Sequence, residues 1–142
     1  AGNLPELSER LPVNPLVLNT REIGEYGGEW VMGMAEGEDQ ALATKTLLHD
    51  SLVRWDPQWQ GIIPNLAESW TVEGDGQKYT FKLREGVKWS DGKPFTTADV
   101  MFWVDEVLNN PELTEVYPFW LRVGDDEPIK LTAPDDCTLV FE

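Results

Sequence analysis

Residue types that commonly perform catalysis are scarce in this sequence. It contains one histidine, His49, and one cysteine, Cys137, so it can form neither a histidine-based metal cluster nor an internal disulfide. The nucleophile motif Gly-x-Ser-x-Gly and the phosphate-binding motif Gly-x-x-x-x-Gly-Lys are absent. We expect His49 at the surface and Cys137 in or beside a turn. We also expect no catalytic residues, no metal ligands and no cofactor, and therefore not an enzyme.

Carboxylates are abundant, and a facing pair could act as general acid and base. The densest group is Glu36, Glu38 and Asp39, which lacks the Asp-x-Asp-x-Asp-Gly spacing of a calcium loop. Solvation in a loop is therefore the expected role of these side chains. Their position is more informative, because they follow a predicted strand and precede a predicted helix. Ligand contacts are common at that position in α/β proteins.

The overall charge excludes some functions. The formal net charge of the 142 residues is -15, which repels phosphate backbones and disfavours nucleic-acid binding and docking on anionic lipid. A hydrophobic content of 41% is sufficient for the core of one ordinary domain. Neither a signal-peptide pattern nor an apolar run of transmembrane length is present.

Tryptophan is unusually frequent, with seven residues. Spacing predicts that three of them belong to the core: Trp70, Trp89 and Trp103. Three others fall in predicted loops: Trp55, Trp59 and Trp120. An exposed indole can stack on a sugar or cover a peptide side chain, so the loop tryptophans are candidates for a binding surface.

Periodicity and turn residues predict the elements that position these groups. Residues 1–28, rich in proline and glycine, form an extended lead-in that wraps the domain and is held by its leucines, Leu4, Leu7, Leu11, Leu16 and Leu18. Strands are predicted at 29–34, 70–72, 79–83, 87–89, 129–132 and 138–141, with a turn at 133–136 and mostly loop over 111–128. Asp39 begins a helix over about 40–53, and Thr96 with Asp99 forms a capping box before an apolar stripe over 100–108. The sequence stops inside the last strand, which suggests a truncated chain.

The order of these segments carries a resemblance. From Ile62 to Leu108 the sequence reads IIPNLAESWTVEGDGQKYTFKLREGVKWSDGKPFTTADVMFWVDEVL. Together with the Tyr26–Trp30 segment, the His49–Trp55 segment and the Asp135–Phe141 strand, this series resembles the family 5 extracellular solute-binding proteins of bacterial ABC importers.

The resemblance implies an α/β fold, with a mixed sheet and helices, that is part of lobe I of a type II periplasmic binding protein. Residues 29–142 would then be a partial first lobe, truncated at its C-terminus. The family's ligand contacts correspond to Glu36, Gly37 and Glu38 in the loop after the first strand, and to Tyr117 and Trp120 after the long helix. A lone lobe lacks the opposing wall, so we expect this segment by itself to bind ligand weakly or not at all.

The function that the resemblance implies is capture of peptides or oligosaccharides between two lobes and delivery to the permease subunits of an ABC transporter. Such a protein is periplasmic or extracellular, and any lipid anchor would lie outside this chain. Two alternatives remain open at this point. One is a carbohydrate-binding or adhesion module that uses the loop tryptophans, and the other is a glycoside-acting enzyme with paired carboxylates.

Overall fold

The computed structural model describes residues 5–25, 27–29, 31, 33–35, 37, 49–124 and 127–142. The helices among them are α1 (Leu7–Arg10) and α2 (Thr97–Phe102), the latter continued by a π-helical segment (Trp103–Leu108). Short 3-10 turns lie at Gly74–Gly76 and Phe119–Leu121. The strands are β1 (Val53–Trp55), β2 (Ile62–Pro64), β3 (Ala67–Glu73), β4 (Lys78–Leu83), β5 (Arg122–Val123), β6 (Glu127–Pro128), β7 (Leu131–Asp135) and β8 (Thr138–Phe141).

The main sheet has four strands in the order β3-β4-β8-β7. Phe81 is paired with Trp70 on one side and with Leu139 on the other. Two further ribbons, β1-β2 and β5-β6, flank this sheet. The predicted α/β class is confirmed, although every described strand pair is antiparallel rather than mixed.

Local sequence explains the central hairpin and the helix start. Between β3 and β4 the Gly-Asp-Gly turn has all three residues at positive φ, a conformation that glycine adopts without steric cost. Thr96 caps α2 by accepting from the Ala98 N–H at 3.2 Å, while the Asp99 carboxylate accepts from the Thr96 N–H at 2.8 Å. The predicted capping box is therefore confirmed.

The helix changes period after Phe102, and this changes which side chains are buried. In the π-helical segment Val104 and Leu108 are buried, whereas Trp103 is substantially exposed. The wider π turn rotates successive residues less than an α-helix does, so a stripe drawn at α-helical spacing does not stay on one face. The prediction that Trp103 belongs to the core is therefore wrong.

Side chains of one sheet face are covered at one end only. Ala67, Leu83 and Leu139 are buried, and we call them the closed end. Their same-face neighbours Val72, Tyr79 and Phe141, which we call the open end, remain exposed or half-buried.

The accessible surface of the chain is 11770 Å². A compact monomer of its mass would expose only about 7400 Å².

The helix is anchored at the closed end through the β7–β8 turn. Thr97, which is buried, donates its hydroxyl to the Asp135 carbonyl at 2.7 Å and its N–H to the Asp136 carbonyl at 3.0 Å. α2 also packs against β7. The hydrogen bonds satisfy a helix N-terminus and a turn together, so they fix α2 over this end of the sheet.

The lead-in is attached by polar contacts rather than by leucines. The Val13 N–H donates to the Glu85 carbonyl at 3.0 Å, and the buried Arg84 guanidinium donates to the carbonyls of Asn14 and Asn65. A Cβ on Gly86 would lie 3.2 Å from the Val13 nitrogen, so glycine permits this close approach. The predicted leucine anchoring is wrong for Leu7 and Leu11, which are exposed. Leu16 and Leu18 are half-buried, and Leu4 lies outside the described residues.

Several predicted elements differ from the structure. Residues 40–48 of the predicted helix lie outside the described residues, but His49 and Asp50 are not helical and Val53 belongs to β1. In the segment 29–34 the described residues are not in a strand, and Trp30 and Met32 lie outside the description. The predicted strand 87–89 is reduced to a bridge between Lys88 and Pro94. β7 extends to Asp135, which shortens the predicted turn.

Candidate functional site

An open groove of 510 Å³ adjoins the open end of the sheet. Its aromatic walls are Tyr79, Phe81, Phe141 and Trp120. The rest of the lining comes from the aliphatic residues Leu121, Val123 and Ile129 and from Gly76, Gln77 and Glu142. Such a surface fits the general pattern of ligand sites, in which an apolar wall supplies contact area and a few polar groups supply orientation.

Aromatic contacts hold the groove in shape. The Tyr79 and Phe81 rings stack with centroids 6.4 Å apart, and Phe81 meets Phe141 edge-to-face at 5.5 Å. On the opposite wall Phe119 supports Trp120 edge-to-face at 5.1 Å. Trp120 is nevertheless 68% exposed, so most of its indole surface is free to contact a ligand.

Trp120 is positioned by a short, hydrogen-bonded segment. It lies in a 3-10 turn closed by the Leu121 N–H, which donates to the Pro118 carbonyl at 3.0 Å. The Ile129 N–H donates to the Leu121 carbonyl at 2.9 Å, and Arg122 donates to the Tyr117 carbonyl at 2.6 Å. Main-chain carbonyls on both sides of Trp120 are thereby fixed, although the segment contains little regular structure.

Charges at the mouth of the groove are already paired. Glu142 lies 3.0 Å from the Lys78 ammonium and 3.7 Å from that of Lys130. The hydrogen bond from Lys78, followed by its charge, lowers the pKa of Glu142, and the same contact raises the pKa of Lys78. Because these groups are exposed to solvent, the pairing contributes little to stability. The Glu142 carboxylate, which lines the groove, is therefore already paired with lysines.

The structure separates the predicted ligand-binding residues into three cases. Trp120 lines the groove, and half-buried Tyr117 contributes its carbonyl to the segment that supports Trp120. Gly37 is exposed in a turn. Glu36 and Glu38 lie outside the described residues. Sequence reasoning missed Tyr79 and Phe81 as groove residues. Their alternation placed them on one face of the sheet, but it did not reveal which end of that face is covered by other residues.

The other tryptophans were predicted with mixed success. Trp55 and Trp59 are exposed as expected, although Trp55 belongs to β1 rather than to a loop. Trp89 is not a core residue, because half of its surface is exposed. It packs edge-to-face on Phe95 and donates its indole N–H to Asp99 at 3.2 Å. The strand that was expected to bury Trp89 is only a single bridge.

The described residues offer little for bond-making chemistry. No three histidine, cysteine or acidic side chains among them are grouped closely enough to hold a metal ion. Partial burial, reinforced by the nearby Asp135 carboxylate, raises the pKa of the Cys137 thiol and so disfavours its reactive thiolate. No helix in this part of the chain is both long and apolar enough to cross a membrane. What the groove offers among the described residues is an apolar contact surface.

Comparison with known proteins identifies the family. Residues 61–142 match the family described as bacterial extracellular solute-binding proteins, family 5, middle. The chain belongs to this family. The matched range contains the central hairpin, α2 and the four-stranded sheet that carries the groove.

Individual members of the family are similar over stretches of different length. The periplasmic alpha-galactoside-binding protein of Rhizobium meliloti is 37% identical over 131 residues, which cover 78% of this chain and 19% of that protein. The dipeptide-binding protein of Escherichia coli is 41% identical over 73 residues, covering 47% of this chain and 14% of that protein. A solved structure of the oligopeptide-binding protein OppA superimposes on 98% of this chain and 21% of its own length, with a TM-score of 0.80 and 37% identity.

These comparisons confirm the resemblance to family 5 solute-binding proteins and the fold that it implied. The chain spans only 14 to 21% of the length of these three relatives. Their names describe binding proteins rather than enzymes. They give no support to an adhesion module or to a glycoside-acting enzyme.

Proposed function

We propose that this chain is part of an exported receptor that captures peptides or oligosaccharides and delivers them to the permease subunits of an ABC importer. The superposition on OppA carries this proposal, because it extends over almost the whole chain at 37% identity. Residues 29–142 form part of the first of two lobes, and residues 1–28 are an extended lead-in. The receptor works in the periplasm or at the cell exterior, and any lipid anchor is supplied outside these residues.

The proposed ligand contacts are Trp120 and Tyr117, together with Glu36, Gly37 and Glu38. Trp120 supplies a large exposed indole at the groove, and Tyr117 belongs to the segment that fixes it. Binding in such a receptor is physical rather than chemical. Closure of a second lobe excludes water from the ligand, and the closed form is the state that a permease can distinguish.

Two ligand classes fit the chemistry of the groove. The names of the relatives cite an alpha-galactoside and a dipeptide. Aromatic walls such as Tyr79, Phe141 and Trp120 can pack against the apolar face of a sugar ring or against a hydrophobic peptide side chain. The strongly negative chain disfavours anionic ligands of either class.

Binding measurements on the full-length receptor, of which this chain is a part, and on its Trp120→Ala variant test this proposal. Defined dipeptides, oligopeptides and galactose-containing oligosaccharides are titrated by calorimetry. One class should bind the wild-type protein, and loss of the indole should weaken that binding by about tenfold, as expected when a buried aromatic contact of 1–2 kcal/mol is removed.

Val116→Ala is the matched control, because Val116 is an exposed residue of the same segment outside the groove. Its affinity should equal that of the wild type. The proposed function would be rejected if no peptide or oligosaccharide bound the full-length protein. Equal affinity of the Trp120 variant and the wild type would reject the groove as the site.

A further inference from the structure

A second aromatic surface lies at the tip of the β1–β2 hairpin. The indoles of Trp55 and Trp59 stack with centroids 5.8 Å apart and planes inclined by 23°. Trp55 is 50% exposed and Trp59 is 75% exposed. Neither residue lines the groove that contains Trp120. The hairpin tip is therefore a separate surface, outside the site proposed for the transported solute.

Trp59 occupies an unfavourable backbone conformation. Its φ of 58° lies in the left-handed region, which bulky side chains rarely adopt. A glycine or asparagine would satisfy the same turn without this cost. Most of the indole is exposed, so contacts within these residues do not explain why tryptophan occupies this position. Strain held at an exposed residue is a common sign of a functional constraint.

The hairpin loop holds Trp59 in place. The Asp56 carboxylate accepts hydrogen bonds from the N–H groups of Gln58 at 2.9 Å and Gln60 at 3.0 Å. The Asp56 carbonyl accepts from the Trp59 N–H at 3.0 Å, and the Asp56 N–H donates to the Gly61 carbonyl at 2.9 Å. Four hydrogen bonds through one residue organise the loop before any ligand arrives. Such preorganisation reduces the entropy lost on binding.

The geometry of the pair favours a flat ligand. Nearly parallel rings leave one broad outer face, whereas recognition of a quaternary ammonium uses aromatic rings that enclose the cation. A polar depression of 550 Å³ is formed partly by the same loop, since Gln58 and Gln60 flank Trp59 in the chain. It is lined by Thr20, Arg21, Pro57, Gln58 and Gln60. It offers hydroxyl, amide and guanidinium groups, and no carboxylate belongs to the lining.

We propose that the Trp55 and Trp59 pair, together with this polar depression, is an accessory site for a neutral sugar ring. The apolar face of a pyranose stacks on the Trp59 indole, and the side chains of Gln58, Gln60 and Arg21 hydrogen-bond to the hydroxyl groups of the sugar. The negative charge of the chain disfavours a phosphorylated or acidic sugar. This inference does not depend on the proposed transport function, because it uses different residues.

The decisive variant is Trp59→Gly in the full-length protein. Glycine adopts φ of 58° without strain, so the folded protein should be as stable as the wild type or more stable. Maltotriose, cellotriose and raffinose serve as neutral probes, and indole N–H signals in NMR spectra report where each one binds. We expect at least one probe to shift the Trp59 and Trp55 signals, and Trp59→Gly to weaken its binding by about tenfold.

Two further variants separate this site from the groove and from a structural role. Trp120→Ala should leave the titration at the hairpin unchanged, and Gln60→Ala should weaken it without altering the melting temperature. The proposal is overturned if no probe shifts the Trp55 and Trp59 signals, or if Trp59→Gly destabilises the protein and leaves sugar binding intact. Self-association of the wild type that Trp59→Gly abolishes, without sugar binding, would also overturn it in favour of a protein contact.

Discussion

The two ends of one sheet face are made of similar residues but have different surroundings. At the closed end Leu139 is 1% exposed and Leu83 is 2% exposed, and α2 is fixed to the adjoining turn by Thr97. At the open end Val72 is 48% exposed and Tyr79 is 39% exposed, and the face opens into the groove. Apolar side chains at the first end stabilise the fold, whereas those at the second end are available to a ligand or another part of the protein.

The difference teaches that strand pattern and burial are separate properties. Tyr79, Phe81 and Leu83 alternate along β4 and share one face, yet their exposure decreases steadily toward the closed end. An apolar residue on a sheet contributes its full transfer free energy only where another element covers it. Substitutions at the two ends should therefore have unequal effects on stability.

The largest effect is expected for Leu139→Ala at the closed end. Leu139 is fully buried, so its truncation removes apolar contacts and leaves a cavity that costs about 2–5 kcal/mol of unfolding free energy. The corresponding truncation at the open end, Val72→Ala, shortens a side chain that is already 48% exposed and should cost no more than about 1 kcal/mol. Urea denaturation of both variants measures the difference, and equal losses would contradict the distinction between the ends.

An intermediate effect is expected for Arg84→Met, which adjoins the closed end. Arg84 is 7% exposed and donates from its Nε to the Asn65 carbonyl at 3.1 Å and from its Nη1 to the Asn14 carbonyl. Methionine keeps the bulk but leaves both carbonyls without this donor, at a cost of about 1–3 kcal/mol.

Two measurements check the Arg84 variant. Urea denaturation gives the loss of stability, and limited proteolysis reports whether the lead-in around Asn14 is released. Arg54→Met is the control, because Arg54 is exposed on β1 and should tolerate the change with little loss. An equally destabilised Arg54 variant would indicate that charge, rather than the buried contacts of Arg84, accounts for the effect.

The smallest effect is expected for the pH dependence of the stability that the β7–β8 turn contributes. The Cys137 N–H donates to the Asp135 carboxylate at 2.8 Å and the Thr138 hydroxyl donates at 2.9 Å, and these bonds lower the pKa of Asp135 below its ordinary value of 3.8. Because the pKa of Asp135 is lowered in the folded state, its carboxylate contributes fully to the free energy of unfolding above pH 3.8. That contribution is lost as the pH falls through the folded-state pKa.

Denaturation at a series of acidic pH values tests this contribution. Asp135→Asn should make stability fall less steeply with acid below the ordinary pKa of an aspartate. Thr138→Val removes one of the donors and should give an intermediate slope. An unchanged slope in Asp135→Asn would mean that the turn does not couple to acid unfolding.

Sequence reasoning recovered the elements whose signals are local. The capping box at Thr96 and Asp99 and the alternation of Tyr79, Phe81 and Leu83 need only neighbouring residues to be recognised. It failed where distant contacts decide. The exposure of Trp89 and Trp103 depends on a strand that does not form and on a π-helical change of period, and neither leaves a clear mark in the sequence.

The candidate site was predictable only in part. Trp120 was selected because an indole in a loop is a plausible ligand contact, but its groove partners come from strands β4 and β8 and depend on sheet register. The strain at Trp59 was also beyond sequence reasoning, since φ is set by the loop that Asp56 organises.

The sequence by itself determined the family, the hairpin and the capped start of α2, because ordered motifs and short-range hydrogen bonds are written in adjacent residues. Tertiary structure alone decided which end of the sheet is covered, which aromatic rings remain free and how the lead-in is attached through Arg84. These outcomes depend on contacts between residues distant in the chain, where burial is set by the neighbouring element rather than by the residue itself.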